Sequence, residues 1–235
     1  MTVDDLLGCK PNPPTYEEIC SFCDEIAGRS SAFLDLGITS SSADYILHST
    51  EHFVVVPCLG ALVDWYVLIV PRRHALSAGW LMMEERKELR TLLTDVRRRV
   101  ERISGCEVAI FEQGSYSFRD RGGSCHDHAH VHVVASERPI RDFVEYVQSS
   151  VTLRECGDWL DAAAAMVSTS AKSYLALQAS ATSFLGDATG APSGFFRKAL
   201  LRWLGGDIAE HDWLVFPQVT RLRKMIDTGF LGRSG

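Results

Sequence analysis

The sequence predicts an α+β domain built on several antiparallel strands with one long and one shorter helix, and three observations carry that prediction. Short runs rich in β-branched and aromatic residues, Phe53–Val56, Trp65–Val70 and Glu107–Glu112, are separated by proline, glycine and turn residues. From Met82 to Ile103 the apolar positions Leu89, Leu92, Leu93, Val96, Val100 and Ile103 recur every three to four residues, the period of an amphipathic helix. From His126 to Val134 histidine alternates with other residues, the period of a strand.

Taken in order, residues 1–14 read as a flexible arm, because Pro11, Pro13 and Pro14 prevent a helix. A helix is expected from near Thr15, an N-capping residue followed by Glu17 and Glu18, to near Gly28, with Cys20 and Cys23 one turn apart. The Ser-, Gly- and Thr-rich segment 29–44 reads as a loop. Strands are expected at Tyr45–Ser49 and Phe53–Val56, with Glu51 and His52 as the turn between them. Pro71 closes the buried run Trp65–Val70, and Pro71-Arg72-Arg73-His74 leads towards the long helix. The polar face of that helix, with Arg90, Arg97, Arg98, Arg102 and several glutamates, reads as a solvated, salt-bridged surface.

Gly105 stops the helix, Gln113–Ser124 forms a glycine-bearing loop, and Pro139 opens a shorter helix over Ile140–Val147. The main domain therefore spans 15–150, followed by a C-terminal extension over 151–235. Helices are expected there around Ala162–Ala165 and over Phe195–Leu204 and Val219–Asp227, a strand at Tyr174–Leu177 and a loop from Gly186 to Gly194.

The chain of 235 residues carries a net charge of -6, which argues against a binder of polymeric nucleic acid. No stretch approaches the length of a membrane span, and no apolar segment of a secretory signal is read near the N-terminus. Seven cysteines without such a signal point to a reduced, cytoplasmic protein.

On a strand, His126, His128, His130 and His132 would share one face, with Ala129, Val131 and Val133 turned to the core. A purely structural role does not account for four such neighbours, because each imidazole needs partners and protonation would crowd like charges. Two chemistries fit: metal ligation, or nucleophilic catalysis by a neutral imidazole whose other nitrogen fixes its orientation. The approach Gly122-Gly123-Ser124 favours the second, since backbone N–H groups and a small hydroxyl can hold phosphate oxygens.

The run His128-Ala129-His130-Val131-His132-Val133-Val134 resembles the His-φ-His-φ-His-φ-φ signature of the histidine-triad (HIT) nucleotide hydrolases and transferases. Cys20-Ser21-Phe22-Cys23 is similar to the Cys-x-x-Cys segment of that family's zinc-containing branch, and Leu68-Ile69-Val70-Pro71-Arg72-Arg73-His74 to its apolar strand, proline, basic residues and histidine. Phe111-Glu112-Gln113-Gly114 resembles a segment of a longer bacterial HIT-like subgroup, as does Pro192–Lys198 followed by Asp212-Trp213.

The resemblance implies a HIT-like sheet with His130 as the nucleophile at the α-phosphate of a nucleotide or nucleotide conjugate. It gives His132 as phosphate support and Gly123 and Ser124 as contacts to phosphate oxygens, and many family members are homodimers. It also implies a structural Zn²⁺ on Cys20, Cys23, His74 and His128, and two thiolates with two imidazoles do make a closed tetrahedral set. His126 lies outside the triad and is a candidate for the leaving group or for capping the site; Gln113 is a candidate phosphate or sugar contact. Arg197 and Lys198 either reach a substrate phosphate or form a solvated helix face.

The acidic ribose-binding residue of small family members has no counterpart in Phe53–Val56, so the resemblance implies a chemistry and leaves the substrate open. Two other readings remain: a metal-dependent hydrolase or oxygenase using His126, His128 and His130, and a non-catalytic nucleotide-binding module.

Overall fold

The computed structural model describes residues 20–228 apart from Gly123 and Cys125, and apart from the side chains of Ser42 and Ala43. The arm at 1–14, and the start of the helix expected from Thr15, lie outside the described residues.

The first elements are three short helices, α1 (Ser21–Ile26), α2 (Ala32–Asp35) and α3 (Ser42–Tyr45). Strands β1 (His48–Ser49), β2 (Phe53–Pro57) and β3 (Tyr66–Pro71) follow, then a 3-10 turn at Ala78–Trp80 and the long helix α4 (Met83–Ser104). Next come β4 (Glu107–Gly114), β5 (Val131–Ser136), α5 (Ile140–Gln148), β6 (Arg154–Cys156) and α6 (Trp159–Thr169). The last are β7 (Tyr174–Ala179), β8 (Thr182–Asp187), α7 (Phe195–Leu204), a second 3-10 turn at Ile208–His211 and α8 (Val219–Asp227).

The strands form one antiparallel sheet in the order β1-β2-β3-β5-β4-β7-β8-β6. The α+β class therefore holds. Both edges are short, two residues in β1 and three in β6, which limits the unpaired backbone they present. Helix α4 buries Leu89, Leu92, Leu93, Val96 and Val100, the positions its period marks, and packs on β4 and β5. It ends at Gly105, whose φ of 69° lies in the left-handed region that glycine adopts at no steric cost.

Four expectations differ from the structure. Tyr45 ends a helix instead of starting a strand, because its ring stacks on Phe33 at 4.5 Å and its hydroxyl donates to the Glu25 carbonyl at 3.0 Å. The segment 29–44 contains α2 and α3 and is not all loop. The C-terminal extension, expected to be helical apart from a strand at Tyr174–Leu177, contributes that strand as β7 and two more: β7 pairs with β4 from Ala109 to Gly114, so the sheet runs across position 150. The two unread strands, β6 and β8, are short or contain Ser and Gly, and lack a clear alternation.

The fourth difference concerns the histidines. Of the four, only His132 lies in a strand; β5 begins at Val131, and His126 to His130 form an irregular approach. The register explains this. Ile69 faces Val131, so the next paired position would set Pro71 opposite Ala129, and proline has no N–H to extend the ladder. The Ala129 N–H donates instead to the Ala75 carbonyl at 2.6 Å.

Candidate active site and metal centre

The break before Val131 divides the histidines between two places. His128 turns towards the N-terminal helix. Its Nε2–H donates to the Pro71 carbonyl at 2.8 Å, and a carbonyl can only accept, so Nδ1 carries the lone pair. That nitrogen lies 3.3 Å from Cys20 Sγ and 3.5 Å from Cys23 Sγ, while His74 Nδ1 lies 3.5 Å from Cys23 Sγ. One ligand atom from each of Cys20, Cys23, His74 and His128 falls within 4.8 Å of the others.

Ordinary metal–sulfur and metal–nitrogen bonds at a tetrahedral zinc set S···N edges of about 3.6 Å, so these four residues could hold such an ion. The carbonyl behind His128 is the outer partner that orients a ligating imidazole. Cys20 sits at the N-cap of α1 and Cys23 within it, one turn on. His74 is placed by its neighbour Arg73, whose guanidinium makes two hydrogen bonds to the buried Glu85 carboxylate, at 2.9 and 2.7 Å.

His126, His130 and His132 face a cavity enclosing about 760 Å³ including its open mouth, within the range of small-molecule sites. His130 and His132 stand edge to face with ring centres 4.8 Å apart, and His126 lies 5.5 Å from His130. Phe22, between the two cysteines, touches His126, His128 and His130 at 5.0 to 5.7 Å and separates the cavity from the thiols. Trp213 stacks on His126 at 6.0 Å from the opposite wall.

His130 Nδ1–H donates to the His128 carbonyl at 2.8 Å, which leaves the lone pair on Nε2. Burial, with the charges of His126 and Arg197 beside it, pushes its pKa down to about 3, so the ring is neutral at physiological pH. Burial also lowers His126 to about 4 and holds His132 well below the ordinary histidine value. Tyr66 Oη lies 2.8 Å from His132 Nδ1, and the His132 ring stacks on Phe111 at 4.8 Å.

The other expected site residues fall elsewhere. Ser124 is buried, its hydroxyl donating to the His126 carbonyl at 2.9 Å; it braces the approach and does not line the cavity. Gln113 also lies outside the lining: its amide donates to the Gly122 carbonyl and accepts from the Phe196 N–H, tying the loop to α7. Gly123 lies outside the described residues.

Among the cavity residues, Phe22, Glu25 and Trp213 were not singled out as site residues, and Arg197, read as either a phosphate contact or a solvated helix face, is buried and lines the cavity. Burial pushes the Glu25 carboxyl up to about 7, against the Ala32 N–H it accepts. Phe22 could have been found from its place between the cysteines. Arg197 and Trp213 are carried in from beyond residue 190, and no local pattern joins them to the histidines.

No protein-family model matches the chain, and no curated protein matches it. Two similar solved structures are histidine-triad proteins. One is a HIT-like protein involved in cell-cycle regulation from Bartonella henselae, with an unknown ligand: 8% identity, TM-score 0.39, covering 49% of this chain and 78% of that one. The other is a hypothetical histidine triad nucleotide-binding protein from Sulfolobus tokodaii: 16% identity, TM-score 0.33, covering 39% of this chain and 60% of that one. Among the described residues no helix is long and apolar enough to cross a membrane.

Proposed function

We propose that this chain is a nucleotidyl hydrolase or transferase that works through a covalent nucleotidyl-histidine at His130. The observation that carries the reading is the His130 Nδ1–H bond to the His128 carbonyl, which fixes the tautomer with the lone pair on Nε2 in a ring lining the cavity.

The Nε2 lone pair attacks the α-phosphorus. The bond from phosphorus to the leaving-group oxygen breaks, and its electron pair departs on that oxygen. The phosphorylated ring keeps its Nδ1–H and becomes cationic, so its bond to the carbonyl strengthens as charge develops. Water or another acceptor then attacks phosphorus, breaks the N–P bond and restores the neutral imidazole. A Tyr66 hydroxyl donating to Nδ1 would leave His132 with its proton on Nε2, suited to a phosphate oxygen. Phe22, Phe33 and Trp213 give apolar ring surface for a base.

Cys20, Cys23, His74 and His128 would hold a structural Zn²⁺, which supplies a cross-link between the N-terminal helix and the approach to β5. The alternative in which His126, His128 and His130 share a catalytic metal has less support. The groupings of metal-ligating atoms among the described residues are the Cys20 set and a surface group of Glu51, His52 and Glu88, and neither contains His126 or His130.

The test is intact mass spectrometry after incubation with a panel of nucleotides and nucleotide conjugates. The expected result is a phosphoramidate adduct that His130→Ala abolishes. Nucleotide binding with neither adduct nor turnover would favour a non-catalytic binding module.

A further inference from the structure

We infer that Glu25 reads the base of the nucleotide and selects guanine, its carboxylate accepting the two neighbouring N–H groups on that base's edge; this rests on the nucleotide reading of the cavity. The histidines act at phosphorus and are blind to the base.

Glu25 lies on α1 one turn beyond Phe22, and it is the only acid among the described residues lining the cavity. The chain reverses after it: the Gly28 N–H donates to the Glu25 main-chain carbonyl at 3.1 Å, and Gly28 has a φ of 68°. That turn sets α2 beside the end of α1, and the Ala32 N–H donates to Glu25 Oε1 at 3.3 Å. The Tyr45 hydroxyl goes to the main-chain carbonyl of Glu25, not to its carboxylate. Oε2 takes no hydrogen bond among the described residues. The half-buried side chain is thus anchored at one oxygen and open at the other. It also borders an adjoining recess, with Ile26, Tyr45 and Val70, that none of the cavity histidines lines, so the carboxylate stands at the end away from the phosphate chemistry.

A carboxylate taken partly out of water needs donors, and one N–H at 3.3 Å is a weak supply. Phe22 and Phe33 flank it, the first one turn earlier on α1 and the second next to Ala32, and both line the same cavity. A planar base packed on such rings brings its edge to the carboxylate. Among the common bases guanine alone presents two adjacent donors there, the ring N1–H and the exocyclic amino group, spaced to match the two oxygens of a carboxylate. Both bonds are then charge-assisted, the strong class, and Oε1 has a second lone pair beside the one given to Ala32. Adenine and cytosine offer one amino group next to a ring acceptor, whose lone pair would face the second carboxylate oxygen.

The test is titration calorimetry of the full chain and of Glu25→Gln with the 5′-monophosphates of guanosine, inosine, adenosine and cytidine. The inosine nucleotide keeps the N1–H of guanine and lacks only the amino group, so it isolates one of the two donors. The wild type should bind the guanosine nucleotide about 10-fold more tightly than the inosine one, and about 10- to 100-fold more tightly than the adenosine one. Glu25→Gln keeps an oxygen for Ala32 but exchanges one acceptor for a donor, so the guanine preference should disappear or reverse towards adenine. A merely looser fold would leave that ratio unchanged. A wild type that binds all four alike, or prefers adenine, would overturn the inference and leave the nucleotide reading standing, and this result needs no variant to fold. A uniform loss for all four in Glu25→Gln would set the carboxylate against the sugar and overturn it too. Binding of none of the four would remove the nucleotide reading and the inference with it.

Discussion

Replacing Glu112 by Gln should make the protein more stable at neutral and alkaline pH. Glu112 is fully buried on β4, where Oε1 accepts from the Ala78 N–H at 2.8 Å and Oε2 from the Tyr174 hydroxyl. It thereby pins the turn that follows His74 to the sheet beneath the site. Burial raises its pKa from 4.5 to about 7 despite those two donors. The folded state therefore holds the proton more tightly than the unfolded chain, so stability is greatest below the unfolded value and falls as pH rises through the folded one.

The gap from 4.5 to about 7, at about 1.4 kcal/mol per pH unit, amounts to about 3 kcal/mol. Gln keeps an oxygen for Ala78 and offers an N–H to the Tyr174 hydroxyl, without the ionisation. Glu25 is also raised to about 7 and would give the wild type a similar slope, so the difference between the two proteins is the informative quantity. In urea denaturation the variant should match the wild type near about pH 4 and exceed it by about 3 kcal/mol near about pH 8. Parallel pH profiles would refute the assignment of that cost to Glu112.

Two further outcomes follow from the packing. Cys23→Ser should lose bound zinc and melt at a lower temperature, and chelation of the wild type should reproduce that melt; full zinc occupancy in the variant would show that the four-residue donor set is wrong. Gly114→Ala should destabilise by about 1–3 kcal/mol in the same urea assay, because its Cβ would fall 2.0 Å from the Tyr174 ring, which the Gly79 N–H and Glu112 hold in place. Unchanged stability would mean that the ring moves freely.

Much of the site was legible because its signals are local. The two thiols one turn apart, His74 after a proline-closed strand and the alternating histidines all sit within short windows, and the Cys20, Cys23, His74 and His128 atoms do converge. Gln113 and Ser124 were read as substrate contacts from their neighbourhood, but their polar atoms are taken up by Gly122, Phe196 and His126. Which way a loop side chain turns depends on partners far along the chain, and a one-dimensional pattern does not carry that.

The sequence by itself determined the α+β class, the long helix and the three central strands, since hydrophobic period and turn residues act over a few neighbours. That Cys20, Cys23, His74 and His128 would meet was implied by the resemblance of their motifs to the zinc-containing branch, and the fold brings their ligand atoms together. The resemblance implied that His128 joins the thiols while His130 and His132 serve the substrate, and only the tertiary structure decided how the backbone makes that division. The register that sets Pro71 opposite Ala129 ends the ladder and frees His128 to turn to the thiols, while His130 and His132 stay on the cavity. Only the fold, too, brought Arg197 and Trp213 to that cavity, because their approach is set by Gly60 and by a C-terminal segment packed across the β2–β3 connection.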